Sequence, residues 1–278
     1  MRLKRLAAPL VFLLVACSLE ADPYRPGERG EVTAIAGALT LTLALAEDAA
    51  AGAERDQPAE RAGAEAADPA GTLDVRLAEL DAPDPARSRA ALETLAEGKI
   101  VRLSYAGQTR DRYRRALAHV HVIAADGGET WLQARLVETG AARVLSHADN
   151  RAAARDLLVL EGHARAAGRG LWSDPAHAVR DTHPDALAQD IGSVQLVEGR
   201  VIEATQLRSG RIYLNFGADY RTDFTVMIEA EDAPAFDAAG LTPAALETRR
   251  IRVRGWIEDE NGPMIRIDHP ERIELLED

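Results

Sequence analysis

At 278 residues, with 46% hydrophobic and 28% charged side chains, the chain suits one large or two small domains and is long enough to bury a real core. Its formal charge of −12 argues against unspecific adhesion to nucleic acid, because a polyanion is repelled unless basic groups are locally concentrated. The single cysteine excludes an internal disulfide, and Lys4 and Lys99 are the only lysines. Nearly all positive charge is therefore arginine, suited to forked contacts with phosphate or carboxylate, although an Ala- and Arg-rich composition also follows from a GC-rich genome.

In chain order, Arg2, Lys4 and Arg5 precede an apolar run, Leu6 to Val15, that is too short to span a bilayer as a mature helix. Leu14-Val15-Ala16-Cys17 then resembles a bacterial lipobox, which implies a signal over residues 1–16 and acylation of Cys17; Ser18 after it favours the outer membrane. Residues 17–30, with Pro23 and Pro26, read as a tether. Glu31 to Leu45 alternates as strand with a bend at Gly37, and residues 47–71 form an acidic, Ala-rich insertion with seven acids against two arginines.

Val75 to Asp84 reads as a strand in which Val75, Leu77 and Glu79 share one face. Pro83 ends it, and Asp81 and Asp84 leave on a turn with Arg76 pointing from the strand before them. A helix is expected over Ala86–Glu97, strands over Lys99–Tyr105 and Arg115–Ile123, and a helix over Thr130–Glu138. A short strand, Ala142–Leu145, and a helix, Asn150–Ala167, complete a first unit that closes at Pro175. Residues 176–191 read as a polar linker.

The second unit, 192–278, has expected strands at Val194–Thr205, Arg211–Phe216, Asp223–Ile228, Ile251–Glu258 and Pro263–Ile267. A helix at Pro243–Thr248 and an Asn261-Gly262 hairpin turn fall between them, the pattern of an OB-like Greek-key barrel. Arg249, Arg250, Arg252 and Arg254 with Tyr213, Phe216 and Phe224 are open to reading as a single-strand binding face. Yet residues 193–278 carry ten arginines against seventeen acids, and alternate barrel residues point inward, so a structural or protein-binding module is preferred.

Four blocks of the first unit resemble the staphylococcal nuclease family over about residues 30–174: Arg76 to Asp84, Asp111 to Ala118, Leu136 to Val144, and Glu161 to Arg165 with Gly170-Leu171-Trp172. The resemblance implies a mainly β fold with some α, an OB-type five-stranded barrel with three helices, here followed by the second OB-like barrel. It implies hydrolysis of a phosphodiester assisted by calcium, two arginines and a glutamate base. Fixed positive groups stabilise charge that appears in such a transition state, and a metal positions the nucleophile. Matched position by position, Arg76 and Arg115 stand as the phosphate arginines, Asp84 at the base, Asp81 at a calcium ligand, and Tyr113 at a tyrosine that holds the nucleotide.

Departures from the pattern are as informative. Ala36-Gly37-Ala38-Leu39 occupies the run that in the family reads Asp-Gly-Asp-Thr, so a second calcium carboxylate is missing and affinity for the ion is expected to be weak. Asp84 is one methylene shorter than glutamate, and a base displaced by ~1 Å costs about a hundredfold. Ser146 and Ala148 stand where nuclease tyrosines would sit. His119 and His121 share a strand face, a spacing open to metal binding, but no third ligand is predictable, and packing or surface roles are simpler. Trp172 reads as a packing residue that locks the last helix, and the Arg110–Arg115 run as a solvated hairpin tip apart from Arg115.

Three functional expectations follow. The first is a lipid-anchored envelope nuclease homologue with weak or lost activity that still binds a phosphate-containing ligand or single-stranded nucleic acid. The second is a non-catalytic envelope adaptor for proteins or glycans. The third is an active nuclease in which an insertion acid such as Glu47 or Asp48 replaces the missing calcium ligand.

Overall fold

The computed structural model describes residues 23–46 and 71–277, so Cys17, the expected signal, and Glu47 and Asp48 lie outside the described residues. The first unit runs β1 (Arg25–Gly37), β2 (Thr40–Leu45), β3 (Thr72–Leu77), β4 (Leu80–Asp81), α1 (Pro85–Ala96), β5 (Ile100–Tyr105), β6 (Ala116–Ile123), β7 (Glu129–Trp131), α2 (Leu132–Glu138), β8 (Arg143–Val144) and α3 (Ala154–Ala166). Five of these strands close a ring: β1 to β3 form a meander, β3 pairs parallel with β6, and β5 lies antiparallel between β6 and β1. This is the connectivity expected of an OB-type barrel, with α1 placed between the third and fourth barrel strands.

Period-two alternation builds the interior, since Leu39, Leu41 and Leu43 are buried at 1% exposure or less while Thr40 and Thr42 face outward. Leu92 of α1 and Leu136 of α2 cap the same core. The Gln133 amide pins α2 to β6, donating to the Ala118 carbonyl at 2.9 Å and accepting from the Val120 N–H at 3.1 Å. Gly140 and Gly170 meet backbone to backbone with positive φ, and a Cβ on Gly140 would lie 2.1 Å from the Arg169 carbonyl. Only glycine allows that approach, through which the Leu171 N–H reaches the Gly140 carbonyl at 2.8 Å and closes the unit.

Several boundaries differ from expectation. β1 begins at Arg25, inside the expected tether, because residues 25–30 pair with β5 and β2. The anchor strand ends at Leu77, not at Pro83: Glu79 takes φ 62° and turns the chain, and Leu80–Asp81 pair instead with β8. Glu79 therefore leaves the face of Val75 and Leu77. It is buried, accepting from the Ala153 N–H at 3.1 Å and lying 3.2 Å from His119 Nε2. The expected linker is ordered: α4 (Pro184–Leu187) inserts a fully buried Leu187 into the second core, and Arg180 pairs with Asp190 at 2.8 Å.

The second unit contains β9 (Val194–Arg200), β10 (Glu203–Gln206), β11 (Ile212–Asn215), β12 (Thr225–Ile228), α5 (Ala233–Ala238), α6 (Pro243–Leu246), β13 (Arg250–Asp259), β14 (Pro263–Ile267) and β15 (Ile273–Leu275). Its pairing repeats that of the first barrel: β12 lies parallel to β14, β14 antiparallel to β13, and β13 antiparallel to β9. The expected first strand is broken at Val201–Ile202 into β9 and β10, which lets one segment pair with both β13 and β11. Asn261 and Gly262, both at positive φ, make the expected hairpin turn. Helix α5, which buries Phe236, and strand β15 were not anticipated. Among the described residues no helix is long and apolar enough to cross a membrane.

An ionic seam joins the barrels. Arg254 of β13, 1% exposed, donates to both Glu161 oxygens on α3 at 2.9 and 3.1 Å, to the Val144 carbonyl at 2.9 Å, and to Glu274 at 2.6 Å. Burial opposes charge on Arg254, but Glu161 and then Glu274 outweigh it and hold the guanidinium more firmly protonated. Burial likewise opposes the Glu161 carboxylate, and Arg254 outweighs it. Beside the seam, Ser146 Oγ meets His269 Nε2 at 2.7 Å and Arg151 pairs with Glu271 at 2.7 Å.

Candidate phosphate site of the first barrel

Arg76 sits on β3 between Thr40 of β2 and Leu117 of β6, on the outward face opposite to the buried Val75 and Leu77. One of its terminal nitrogens donates to the Leu80 carbonyl at 3.3 Å. Burial lowers its pKa, Arg115 adds to the lowering, and Asp81 and Asp111 oppose it. Arg76 thus lies within electrostatic reach of Arg115, Asp111 and Asp81.

Arg115 stands just before β6 and is fixed by the loop in front of it. Asp111 accepts the Tyr113 and Arg115 backbone N–H groups at 2.9 and 3.0 Å, and Arg114 takes φ 68° to complete the turn. The other Asp111 oxygen accepts Arg115 Nε at 2.7 Å. Burial would raise the Asp111 pKa, but Arg115 and these two N–H groups more than reverse it and keep the carboxylate charged. Arg115 also reaches Thr40 Oγ1 at 3.4 Å and lies 5.1 Å from the centre of the Tyr113 ring. Tyr113 is 63% exposed, so its ring is presented to solvent beside the guanidinium.

The two acids of the anchor motif point elsewhere. Asp81 on β4 faces Arg143 on β8, whose Nε donates to Asp81 Oδ2 at 2.8 Å and whose Nη2 donates to the Val194 carbonyl at 2.6 Å. Arg143 is 5% exposed, so this cation is held in place by the protein and cannot swing into solvent. Asp84 caps α1: Oδ1 accepts the Arg87 N–H at 3.1 Å and Oδ2 accepts Arg87 Nε at 3.2 Å. That backbone hydrogen bond is the main reason its carboxyl lies below the usual range. Both Asp84 oxygens are engaged by Arg87, and its charge partners are Arg87 and His177 rather than Arg76 or Arg115.

Of the acids that the resemblance assigns to calcium, Asp81 is the one present among the described residues, and it is paired with Arg143. Calcium takes six or more oxygens, with several carboxylates among them. Here the strand turn offers Ala36 and Ala38, Asp81 is already neutralised by Arg143, and among the described residues no group of three His, Cys, Asp or Glu could hold a metal ion.

The remaining candidates resolve into packing. His119 is buried against Tyr24 and Trp131, with ring centres at 5.2 and 5.8 Å, and His121 lies 3.4 Å from Ser104 Oγ and 3.8 Å from Glu129. Trp172 stacks under Arg165 at 5.6 Å beside the closing glycines. The arginines of β13 are engaged by the protein itself: Arg254 is buried, Arg252 pairs with Glu198 and Glu274, Arg250 pairs with Glu198, and Phe216 and Phe224 belong to the core. Ser146 serves the seam with His269.

Arg143 escaped the sequence reading. A lone charge in the apolar run Ala141-Ala142-Arg143-Val144 was the available signal, because a charge in a buried strand requires a partner. Glu161 shares an i, i+4 stripe with Leu157, which marks a carboxylate on a buried face in the same way.

No curated protein matches the chain. Residues 74–174, from β3 through the turn that carries Trp172, match the family model described as staphylococcal nuclease homologue, so the first barrel is built on a nuclease-family scaffold over that span.

Proposed function

We propose that the first barrel grips a phosphate group through Arg76 and Arg115 and cuts phosphodiesters weakly or not at all. The observation that carries this reading is the 2.8 Å pairing of Asp81 with Arg143. A fixed guanidinium neutralises the acid that a calcium ion would need, while two further arginines stay grouped on the outer face beside Thr40 and Tyr113. Guanidinium forks match phosphate oxygens, and an exposed tyrosine ring next to them suits a base or sugar. The expected ligand is a nucleotide or a single-stranded nucleic-acid end.

The chain is further read as an envelope lipoprotein held at the outer membrane through Cys17, a reading supported by the lipobox-like Leu14 to Cys17. The envelope adaptor is the second reading, and the engagement of Arg250, Arg252 and Arg254 with glutamates favours it for the second barrel.

Titration of the purified protein with calcium, in the presence and absence of a nucleoside 3′,5′-bisphosphate, tests both halves of the proposal. Calcium binding should be weak, and bisphosphate binding should survive chelator and be lost in Arg76→Ala and Arg115→Ala. Robust cleavage of single-stranded DNA, abolished by chelator and by Arg76→Ala, would overturn it.

A further inference from the structure

A groove of about 400 Å³ lies on the outer face of the second barrel. The strand registers build it row by row. Glu203, Asn215, Thr225 and Met264 stand side by side across β10, β11, β12 and β14. Two residues along, Thr205, Tyr213, Met227 and Arg266 form the next row. The alternate residues, Ile212, Leu214, Val226 and Ile265, fill the core, so these rows lie on the opposite face of the sheet, where Asn215, Thr225, Met227 and Met264 are buried and Glu203, Thr205, Tyr213 and Arg266 reach solvent. Tyr220, 58% exposed, leans in from the loop between β11 and β12, and Asn261 from the β13–β14 turn.

We infer that this groove is a binding site for a neutral oligosaccharide. The occupant is bound chiefly by side chains, because the backbone groups of β11, β12 and β14 are spent in ladders on both sides and only the outer edge of β10 stands without a neighbouring strand. Those side chains combine tyrosine rings with amides and hydroxyls, a set that matches the apolar C–H faces and the hydroxyls of a sugar ring. Thr225 Oγ1 donates to Asn215 Oδ1 at 3.3 Å, which leaves the Asn215 amide N–H groups, like the Asn261 amide, without a bond among the described residues. Glu203 accepts from Thr205 at 3.1 Å and retains acceptor capacity for sugar hydroxyls.

Charge decides against a polyanion. Glu203 is the one formally charged residue among those lining the groove. The arginines on the same sheet face are already spent: Arg211 pairs with Glu229 at 2.9 Å, and Arg266 pairs with Glu258 at 2.7 Å, with Glu229 at 3.3 Å, and with Glu260. Nucleic acid would meet one carboxylate and no uncommitted guanidinium on the sheet; the one guanidinium shown against a lining residue is Arg221, on the loop, 5.1 Å from the centre of the Tyr220 ring. The site sits on the barrel strands and at the hairpin-loop end that OB folds use for oligomeric ligands, which gives an extended chain room to lie across several strands.

Isothermal titration of the purified protein with maltohexaose, cellohexaose and chitohexaose, and with a single-stranded oligonucleotide, tests the inference. At least one hexasaccharide should bind, and Tyr213→Ala and Tyr220→Ala should each weaken it by about tenfold or more. Tyr213→Phe, which keeps the ring, should retain most of the affinity and guards against misfolding. Arg76→Ala should leave sugar binding unchanged, so the outcome is separate from that of the phosphate site. Absence of binding by all three sugars, sugar binding indifferent to both tyrosine substitutions, or oligonucleotide binding lost in Tyr213→Ala would each overturn it.

Discussion

Arg143 and Asp81 face each other across β4 and β8 at 2.8 Å, so the protein supplies its own cation to the carboxylate that the nuclease-like motif would offer to a metal.

This pairing predicts how metal binding could be rebuilt. Replacing Arg143→Ala alone should restore little affinity, because one carboxylate remains. Combining Arg143→Ala with Ala36→Asp and Ala38→Asp should strengthen calcium binding by at least about tenfold, since affinity follows ligand charge count. Calorimetric titration of the single and triple variants gives the comparison; equal affinities would show that Arg143 and the missing acids do not govern the site.

Asp84 acts on the helix rather than on a reacting phosphate. Asp84→Ala should destabilise the protein by about 1 kcal/mol through loss of the α1 cap, while Asp84→Asn should cost less. Bisphosphate affinity should stay within about twofold in both, a difference of only a few tenths of a kcal/mol. Urea unfolding and ligand titration read the two effects separately.

The seam at Arg254 predicts a large asymmetry. Arg254→Met leaves the buried Glu161 with Arg165 at 3.0 Å as its remaining ion-pair partner, and about 3 kcal/mol of stability, the low end for a broken buried pair, should be lost. Glu161→Leu together with Arg254→Met removes both charges and should recover part of that loss. Denaturant unfolding of the single and double variants measures the coupling directly.

Acid sensitivity follows from the depressed carboxyls. Asp268 is held down to about 2, chiefly by its hydrogen bond with His269 Nδ1, with burial acting against it; Glu161 and Asp111 are lowered as well. A folded value below the unfolded one means that the stabilisation is complete above the unfolded pKa and is lost as pH falls through the folded one. Burial, which lowers the pKa of His121 and His147, should bring an earlier loss of stability as pH drops below about 6.5, and these carboxyls should make stability fall between about pH 4 and 2. Asp268→Asn should flatten part of that slope in thermal melts across the range.

The barrels themselves were legible, because alternation is a local signal: Leu39 to Leu45 and Ile251 to Glu258 announce their faces within a few residues. The Asn261-Gly262 turn was legible for the same reason. Arg76 and Arg115 were found because each lies in its own short motif, and the parallel register of β3 and β6 then brings their strands together. What escaped depends on pairings across long stretches of chain. Asp81 meets its partner 62 residues on, and Arg254 meets Glu161 across 93 residues. Glu79 was misplaced on the strand face because it turns the chain at positive φ where no glycine or asparagine signals a turn, and its carboxylate meets the Ala153 N–H and His119 across 74 and 40 residues. The ordered stretch 176–191 looked like a linker because its single apolar anchor, Leu187, has no periodic company.

Glu161 and Arg254 come from different barrels yet complete one another in the interior. Each barrel expressed alone would expose a charge that is now buried and halve its ion pairing, leaving Glu161 with Arg165 at 3.0 Å and Arg254 with Glu274 at 2.6 Å. Dissecting the chain at residues 176–191 would therefore yield two fragments with altered solubility and folding, and assigning ligands to either half calls for point substitutions in the intact protein rather than truncation.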